Sequence, residues 1–246
     1  RASILTGQYT HEHTVVDNYA SLPDNLIFFP QYLQKAGYQT AFFGKWHMGN
    51  VNDDPQPGFN HWESFKGQGS YYNVQLNING KYISYPQDVY ITDLLTEHAE
   101  DFIANRNKKK PFFVYLSHKA AHDSFTASKK HEGMYKDKPI PYPVSYNQPP
   151  YGNISTIPSK DQHGTPKKDD AWYGEGRLPD WVKNQRESWH GVEYCYFGRK
   201  SFEEEYRKYC ETITSLDESI GNLLKFLKEN DLEENTVIIY MGDNGF

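Results

Sequence analysis

Three short stretches of this chain place chemistry-bearing residues directly after apolar runs. Gly44-Lys45-Trp46-His47 follows QTAFF, Ser117-His118-Lys119-Ala120-Ala121-His122 follows FFVYL, and Gly242-Asp243-Asn244-Gly245 follows TVIIYM. A turn that only reversed the chain would more often use Asn, Asp, Ser or Pro than a lysine and an imidazole. Lys45 and His122 can hold oxygens of a tetrahedral anion, and His47 can orient a nucleophile or shuttle its proton. Asp243 and Asn244 supply hard oxygen donors of the kind that calcium or magnesium takes. A divalent ion combined with Lys and His offsets the charge of a transferring phosphoryl or sulfuryl group. No nucleophile stands out, since Ser3, Thr6 and Ser117 are unremarkable in context. Each stretch alone also has a bland reading, a loop with a solvated Lys and a satisfied His, or an ordinary Asp-Asn-Gly turn. Three such endings in one chain point to a shared pocket.

The elements that must position these residues are legible in outline. Residues 26–36 read as a helix entered at Pro30 and closed by Gly37. Residues 38–43 read as a buried strand broken by Gly44. Within the Asn-, Gly-, Pro- and Tyr-rich stretch 50–88, YNVQLNINGKYISY is a hairpin with Asn79-Gly80 at its turn. Residues 89–105 place Ile91, Leu94, Leu95, His98, Phe102 and Ile103 on one helical face. Residues 111–117 form a second buried strand. Residues 124–200 carry no sustained period and read as a long functional loop region or a cover over a site. A helix over 202–230 turns Tyr206, Cys210, Ile213, Leu216, Ile220, Leu223, Leu224 and Leu227 one way, and TVIIYM (236–241) is a third buried strand. Strands alternating with helices predict an α/β layered fold with a largely parallel sheet, in which ligands sit outside the carboxyl ends of the strands.

Composition narrows the function classes. The 246 residues carry a net charge of −6, which argues against a nucleic-acid binder held by general electrostatics. Mean hydropathy is −0.84, and no apolar run is long enough to span a bilayer. Cys195 and Cys210 could pair in an oxidising compartment, or Cys210 could be a core thiol. Without Cys-x-x-Cys spacing, a cysteine-based zinc site is improbable. Many of the 20 tyrosines lie in polar sequence, where their rings suit sugar stacking or packing on one another. Trp62, Trp172, Trp181 and Trp189 face the same choice between sugar stacking and burial.

RASILTG (1–7), GYQTAFFGKWHMG (37–49), SHKAAHDSF (117–125) and TVIIYMGDNGF (236–246) together resemble the type I sulfatases, the formylglycine-dependent enzymes of the alkaline phosphatase superfamily. The order and spacing agree along the whole chain, and the first two stretches are highly specific. The resemblance implies an α/β/α layered alkaline-phosphatase-like fold, with residues 1–246 as part of an N-terminal catalytic domain. It implies that Arg1 ends the Cys/Ser-x-Pro-Ser-Arg signature and stabilises a formylglycine hydrate made from a Cys or Ser upstream. Lys45 would bind a sulfate oxygen, and His47 would hydrogen-bond the hydrate. His122 would lie near the bridging ester oxygen, and Asp243 and Asn244 would be calcium (Ca2+) ligands. The hydrate would attack sulfur and then expel sulfate, a two-step nucleophilic route. Implied partners are a sulfated saccharide and a formylglycine-generating or anaerobic sulfatase-maturing enzyme, in a periplasmic or extracellular location.

The departures and neighbours are equally specific. The nucleophile would lie before Arg1, the family's paired N-terminal aspartates are not in this chain, and a further sulfate-binding Lys is expected beyond Phe246. The chain as it stands is therefore expected to be inactive. Ala121 occupies a position where the family often has Pro. YTHEHTVVDN resembles the Tyr-x-His-x-His-x-Val segment of glucosamine-6-sulfatases, which would let His13 or Asn18 line a sugar pocket, with loop packing as the alternative. His118 reads as a strand-end histidine satisfied by the backbone, Lys119 as solvated, and Trp46 as packing beside the site. The leading reading is a sulfuric ester hydrolase acting on N-acetylglucosamine 6-sulfate or a related glycosaminoglycan unit. A phosphodiester or phosphonate monoester hydrolase of the same superfamily stands beside it. A non-catalytic sugar-binding relative is the alternative of another class.

Overall fold

The computed structural model describes residues 1–49, 52–142, 144 and 202–242. The chain divides into two compact units, Arg1–His131 with Thr212–Phe246, and Glu132–Glu211. In the second unit, Arg207 donates from Nε to the Tyr135 carbonyl at 3.1 Å and from Nη2 to the Lys138 carbonyl at 3.3 Å. The sheet and the candidate site belong to the first.

That sheet has five strands: β1 (Gln39–Lys45), β2 (His61–Phe65), β3 (Gln75–Ile78), β4 (Lys81–Ser84) and β5 (Phe112–Ser117), in the order β4-β3-β2-β1-β5. β1 runs parallel to both β2 and β5, while β2–β3 and β3–β4 are antiparallel. The expected hairpin is present: Asn79 (φ 51°) and Gly80 (φ 89°) both take the left-handed conformation that a two-residue turn needs. Among the described residues five α-helices flank or follow the strands, α1 (Ala2–Thr6), α2 (Thr10–His13), α3 (Phe29–Lys35), α4 (Ile91–Asn105) and α5 (Phe202–Glu229). Pro30 sits in the first turn of α3, and the Gln31 side chain accepts the Phe28 N–H at 2.8 Å.

Both faces of the sheet are apolar, as a strand between two helical layers requires. Ala41 and Phe43 point to one face and pack with Leu76 and with Ile91, Leu94, Leu95 and Ala99 of α4. Phe42 and Trp62 point to the other and pack with Ala2, Leu5, Phe28, Trp46 and Met48. Trp62 is therefore a core residue and does no sugar stacking, with its indole N–H donated to the Asp53 carbonyl at 2.8 Å.

Three expectations need correction. Gly44 does not break β1, which continues through Lys45. A Cβ at Gly44 would lie 2.0 Å from the Ser117 carbonyl oxygen, and its φ is +111°. The glycine is there because β1 and β5 approach too closely for any side chain. Second, residues 236–241 form no strand among the described residues, and Val237 and Ile239 are 88% and 79% exposed. β-branched composition suits a pleated surface, but a strand exists only where a neighbouring edge accepts its backbone groups, and none of the five strands pairs with it.

Third, the inward face of α5 is a row of small hydroxyls. Thr212, Ser215 and Ser219 are buried with Leu216 and Leu227, whereas Ile213 and Leu224 are exposed. Ser219 Oγ lies 2.5 Å from Thr96 Oγ1 on α4 and donates to the Thr92 carbonyl, so short polar side chains join the two helices. Ser215, His131 and Glu218 are aligned like a nucleophile, base and acid, at 3.0 and 3.1 Å. Ser215 is fully buried and already accepts the Ser128 N–H, so this set anchors the helix. Of the stretch 124–200, only residues up to 142 and residue 144 are described. Trp172, Trp181, Trp189 and Cys195 lie outside.

One buried acid is built into the α4-facing side. Glu63 receives His61 Nε2 at 2.7 Å and His98 Nδ1 at 2.5 Å. Burial alone would raise the Glu63 carboxyl, but the two imidazoles hold it below its ordinary value. The hydrogen bond to Glu63, working against burial, raises His98 above 6.5. The stabilisation tied to His98 is thus complete below its unfolded pKa and is lost as pH rises through the higher folded value. The Glu63 share is present above the unfolded carboxyl pKa and is lost in acid. Glu63→Gln should cost about 1–3 kcal/mol near pH 6 and flatten the decline in melting temperature on the alkaline side of 6.5. Gly44→Ala should destabilise by roughly 2–3 kcal/mol or more, because backbone must move. Urea denaturation of each variant against the parent measures the two losses, and thermal melts across pH measure the flattened decline.

Candidate active site

The parallel register sets Gly44 beside both Ser64 and Ser117, so β1 and β5 end side by side. Two hydroxyls fasten the ends: Ser64 Oγ donates to the Gly44 carbonyl and Ser117 Oγ to the Lys45 carbonyl, each at 2.9 Å. Lys45 is only 3% exposed, and its Nζ donates to Gln68 Oε1 at 2.5 Å. Gln68 lies in the loop after β2, flanked by Gly67 and Gly69 in the left-handed region. Past Lys45 the chain turns at His47, which has φ 48° and is half-buried. Trp46 packs edge-on to Phe28 and Phe42 at 5.5 Å, as expected for a residue that supports the corner and does no chemistry.

The loop after β5 closes a turn in which the His122 N–H donates to the Lys119 carbonyl at 2.9 Å. Tyr71 braces this turn: its hydroxyl donates to the His122 carbonyl at 2.7 Å, and its ring lies 4.8 Å from Lys119 Nζ. Burial raises the Tyr71 phenol far above its ordinary value, so the donor stays protonated. His122 Nδ1 donates to the Asp123 carbonyl at 2.6 Å, which leaves Nε2 as the nitrogen that can take up or give a proton. Burial, and after it the charges of Lys45 and Lys119, holds His122 below 6.5 against the hydrogen bond to Asp123.

Two neighbours differ from expectation. Lys119 is 6% exposed rather than solvated, because the Tyr71 ring covers its ammonium. Among the described residues neither His118 ring nitrogen has a hydrogen-bond partner, and burial lowers its pKa to about 4, so this histidine is a neutral spacer and is not satisfied by the described backbone. Gln68 and Tyr71 went unrecognised in the sequence, since polar loop residues carry no periodic signal.

The remaining candidates divide. Arg1 is half-buried at the start of α1, which packs Ala2 and Leu5 into the cluster that holds Trp46 and Met48, the two residues flanking His47. His13 is 2% exposed; it accepts the Val15 N–H at Nδ1 and pairs through Nε2 with Ser3 Oγ at 2.9 Å. Both its nitrogens thus serve loop packing. Asn18 is half-buried in the turn where Asp17 caps Tyr19 and Ala20. Asp243 and Asn244 lie outside the described residues, and among the described residues no group of three or more His, Cys, Asp or Glu could hold a metal.

The geometry therefore offers two buried ammonium groups and an imidazole at one strand-end corner. Such a combination is chemically able to hold an oxyanion and to serve a proton to its bridging oxygen. An N-acetylglucosamine-6-O-sulfatase of Bacteroides thetaiotaomicron is 30% identical over all of this chain and 49% of its own length. An extracellular sulfatase SULF-1 homolog of Drosophila melanogaster is 26% identical over all of this chain and 21% of its own. The solved structure of BT4656 in complex with its substrate D-glucosamine-2-N,6-O-disulfate superposes with a TM-score of 0.66 at 27% identity, covering 95% of this chain and 53% of that one. The chain thus spans about half the length, or less, of these relatives. The Sulfatase family matches residues 1–246, and the chain belongs to that family.

Proposed function

We propose that the protein is a sulfuric ester hydrolase that removes sulfate from a sulfated saccharide, with N-acetylglucosamine 6-sulfate or a related glycosaminoglycan unit as its substrate. The observation that carries this reading is Lys45, buried at the carboxyl end of β1 with its ammonium on Gln68. The Gln68 amide oxygen is a neutral acceptor on that ammonium, and a sulfate oxygen can accept from the same donor. The sugar assignment draws on the relatives' substrates.

In this reading Lys45 holds a non-bridging oxygen and His122 Nε2 faces the bridging oxygen, protonating the leaving alcohol. Asp123 fixes the ring's orientation through Nδ1, and Tyr71 fixes the backbone that carries it. Arg1 and His47 would steady a formylglycine nucleophile made upstream by a maturation enzyme. Asp243 and Asn244 supply oxygen donors suited to calcium, which would offset charge on the anion. Export from the cytoplasm belongs to the same proposal; among the described residues no helix is long and apolar enough to cross a membrane.

The test is sulfate release by the full-length protein, produced with a maturation enzyme and calcium, on 6-O-, 4-O-, 2-O- and N-sulfated sugars, with a phosphate diester beside them. Release from the 6-O-sulfated sugar, reduced about 10²–10³-fold by Lys45→Ala, is expected. Turnover of the diester alone would transfer the protein to phosphodiester chemistry. Because the folded pKa of His122 lies below 6.5, its protonated form is populated only in mild acid. The kcat/KM profile should therefore fall as pH rises through that value, and His122→Ala should abolish this limb.

A further inference from the structure

Lys119 is a buried cation that the proposed reaction does not yet use. Lysine is rarely buried without a partner, because its ammonium loses hydration that only an anion or several acceptors can replace. Among the described residues, no carboxylate lies within ion-pair distance of Lys119. Its ammonium rests on the face of Tyr71, and Asp123 attracts it only through the field. The Tyr71 ring cannot drift, because its hydroxyl is fixed on the His122 carbonyl and its face stacks on Tyr90 with centroids 5.9 Å apart.

The direction in which this cation acts is set by the turn that carries it. Lys119 and His122 are the two ends of one turn, closed by the His122 N–H on the Lys119 carbonyl. The first residue of the loop, Ser117, is tied by its hydroxyl to the Lys45 carbonyl. The charges of Lys45 and Lys119 both fall on the His122 ring. Two buried ammoniums thus act on one imidazole and disfavour its protonation.

We propose that Lys119 is a second anion-binding residue of this pocket, taking a non-bridging oxygen of the same sulfuryl group that Lys45 holds. The proposal rests on the sulfatase reading for the identity of the anion, and on the geometry of the turn for the residue. The Tyr71 face holds the ammonium, and an incoming oxygen supplies the acceptor that the ring is not. A group with two bound oxygens is fixed in orientation as well as place, which is what transfer to a positioned nucleophile requires.

The test measures inorganic sulfate affinity by calorimetry, together with KM and kcat for 6-O-sulfated N-acetylglucosamine, in the full-length protein and its Lys119→Met variant. Methionine keeps the length of the side chain and its contact with the Tyr71 ring but removes the charge. Sulfate affinity should weaken about tenfold or more, the scale of one lost charge-assisted hydrogen bond, with KM rising in step. The melting temperature should hold or rise, since a buried charge has gone. Lys119→Arg should keep most of the sulfate affinity, and Lys119→Gln provides a second neutral variant should methionine misfold. Unchanged sulfate affinity in either neutral variant would overturn the proposal, as would a fall in melting temperature with sulfate binding intact. Sulfate affinity that depends on Lys119 in a protein that desulfates no sugar would sink the saccharide reading and leave this one standing. Full sugar desulfation without that dependence would do the reverse.

Discussion

The close approach of β1 and β5 at Gly44 is the constraint on which the site depends. The α-carbon of Gly44 lies so near the Ser117 carbonyl that a Cβ would sit 2.0 Å from its oxygen. With that proximity the next residue, Lys45, receives the Ser117 hydroxyl on its carbonyl, and the loop after β5 leaves the sheet beside the end of β1. Any residue larger than glycine would force the strands apart and separate Lys45 from the turn that carries Lys119 and His122. The GKWH corner is therefore a statement about two strands at once. Glycine sets their spacing, lysine enters the gap, tryptophan anchors the corner in the aromatic layer beneath, and histidine turns the chain out.

Much of this frame is visible in the sequence because its determinants are local. The Asn79-Gly80 hairpin, the α4 periodicity and the β-rich runs ahead of the site each depend on residues a few positions apart. What escaped reading depends on partners far along the chain. Gly44 looks like a strand breaker until the Ser117 carbonyl is in view. Lys119 looks solvated until Tyr71 is brought over it by the bond between Tyr71 and His122, 51 residues apart. The inward face of α5 was read from its leucines and isoleucines, yet serine and threonine fill it because α4 presents Thr92 and Thr96 at short range. TVIIYM was taken for a strand on composition, and composition does not provide the edge that a strand must pair with.

Among the described residues of this unit, the buried acids beside the sheet are held by histidine and tyrosine. Two acids are buried beside the sheet: Glu63 is 4% exposed and Asp53 is 2% exposed. Glu63 is held by two imidazoles, and Asp53 accepts the Tyr82 hydroxyl at 2.8 Å. Neither is held by a lysine. Among the described residues, Gln68 accepts from Lys45 and the Tyr71 ring faces the Lys119 ammonium. The ring face holds the Lys119 side chain in place without neutralising its charge. Both ammonium charges bear on the His122 imidazole and disfavour its protonation, and the bond from Ser117 to the Lys45 carbonyl ties the loop that carries it to the end of β1.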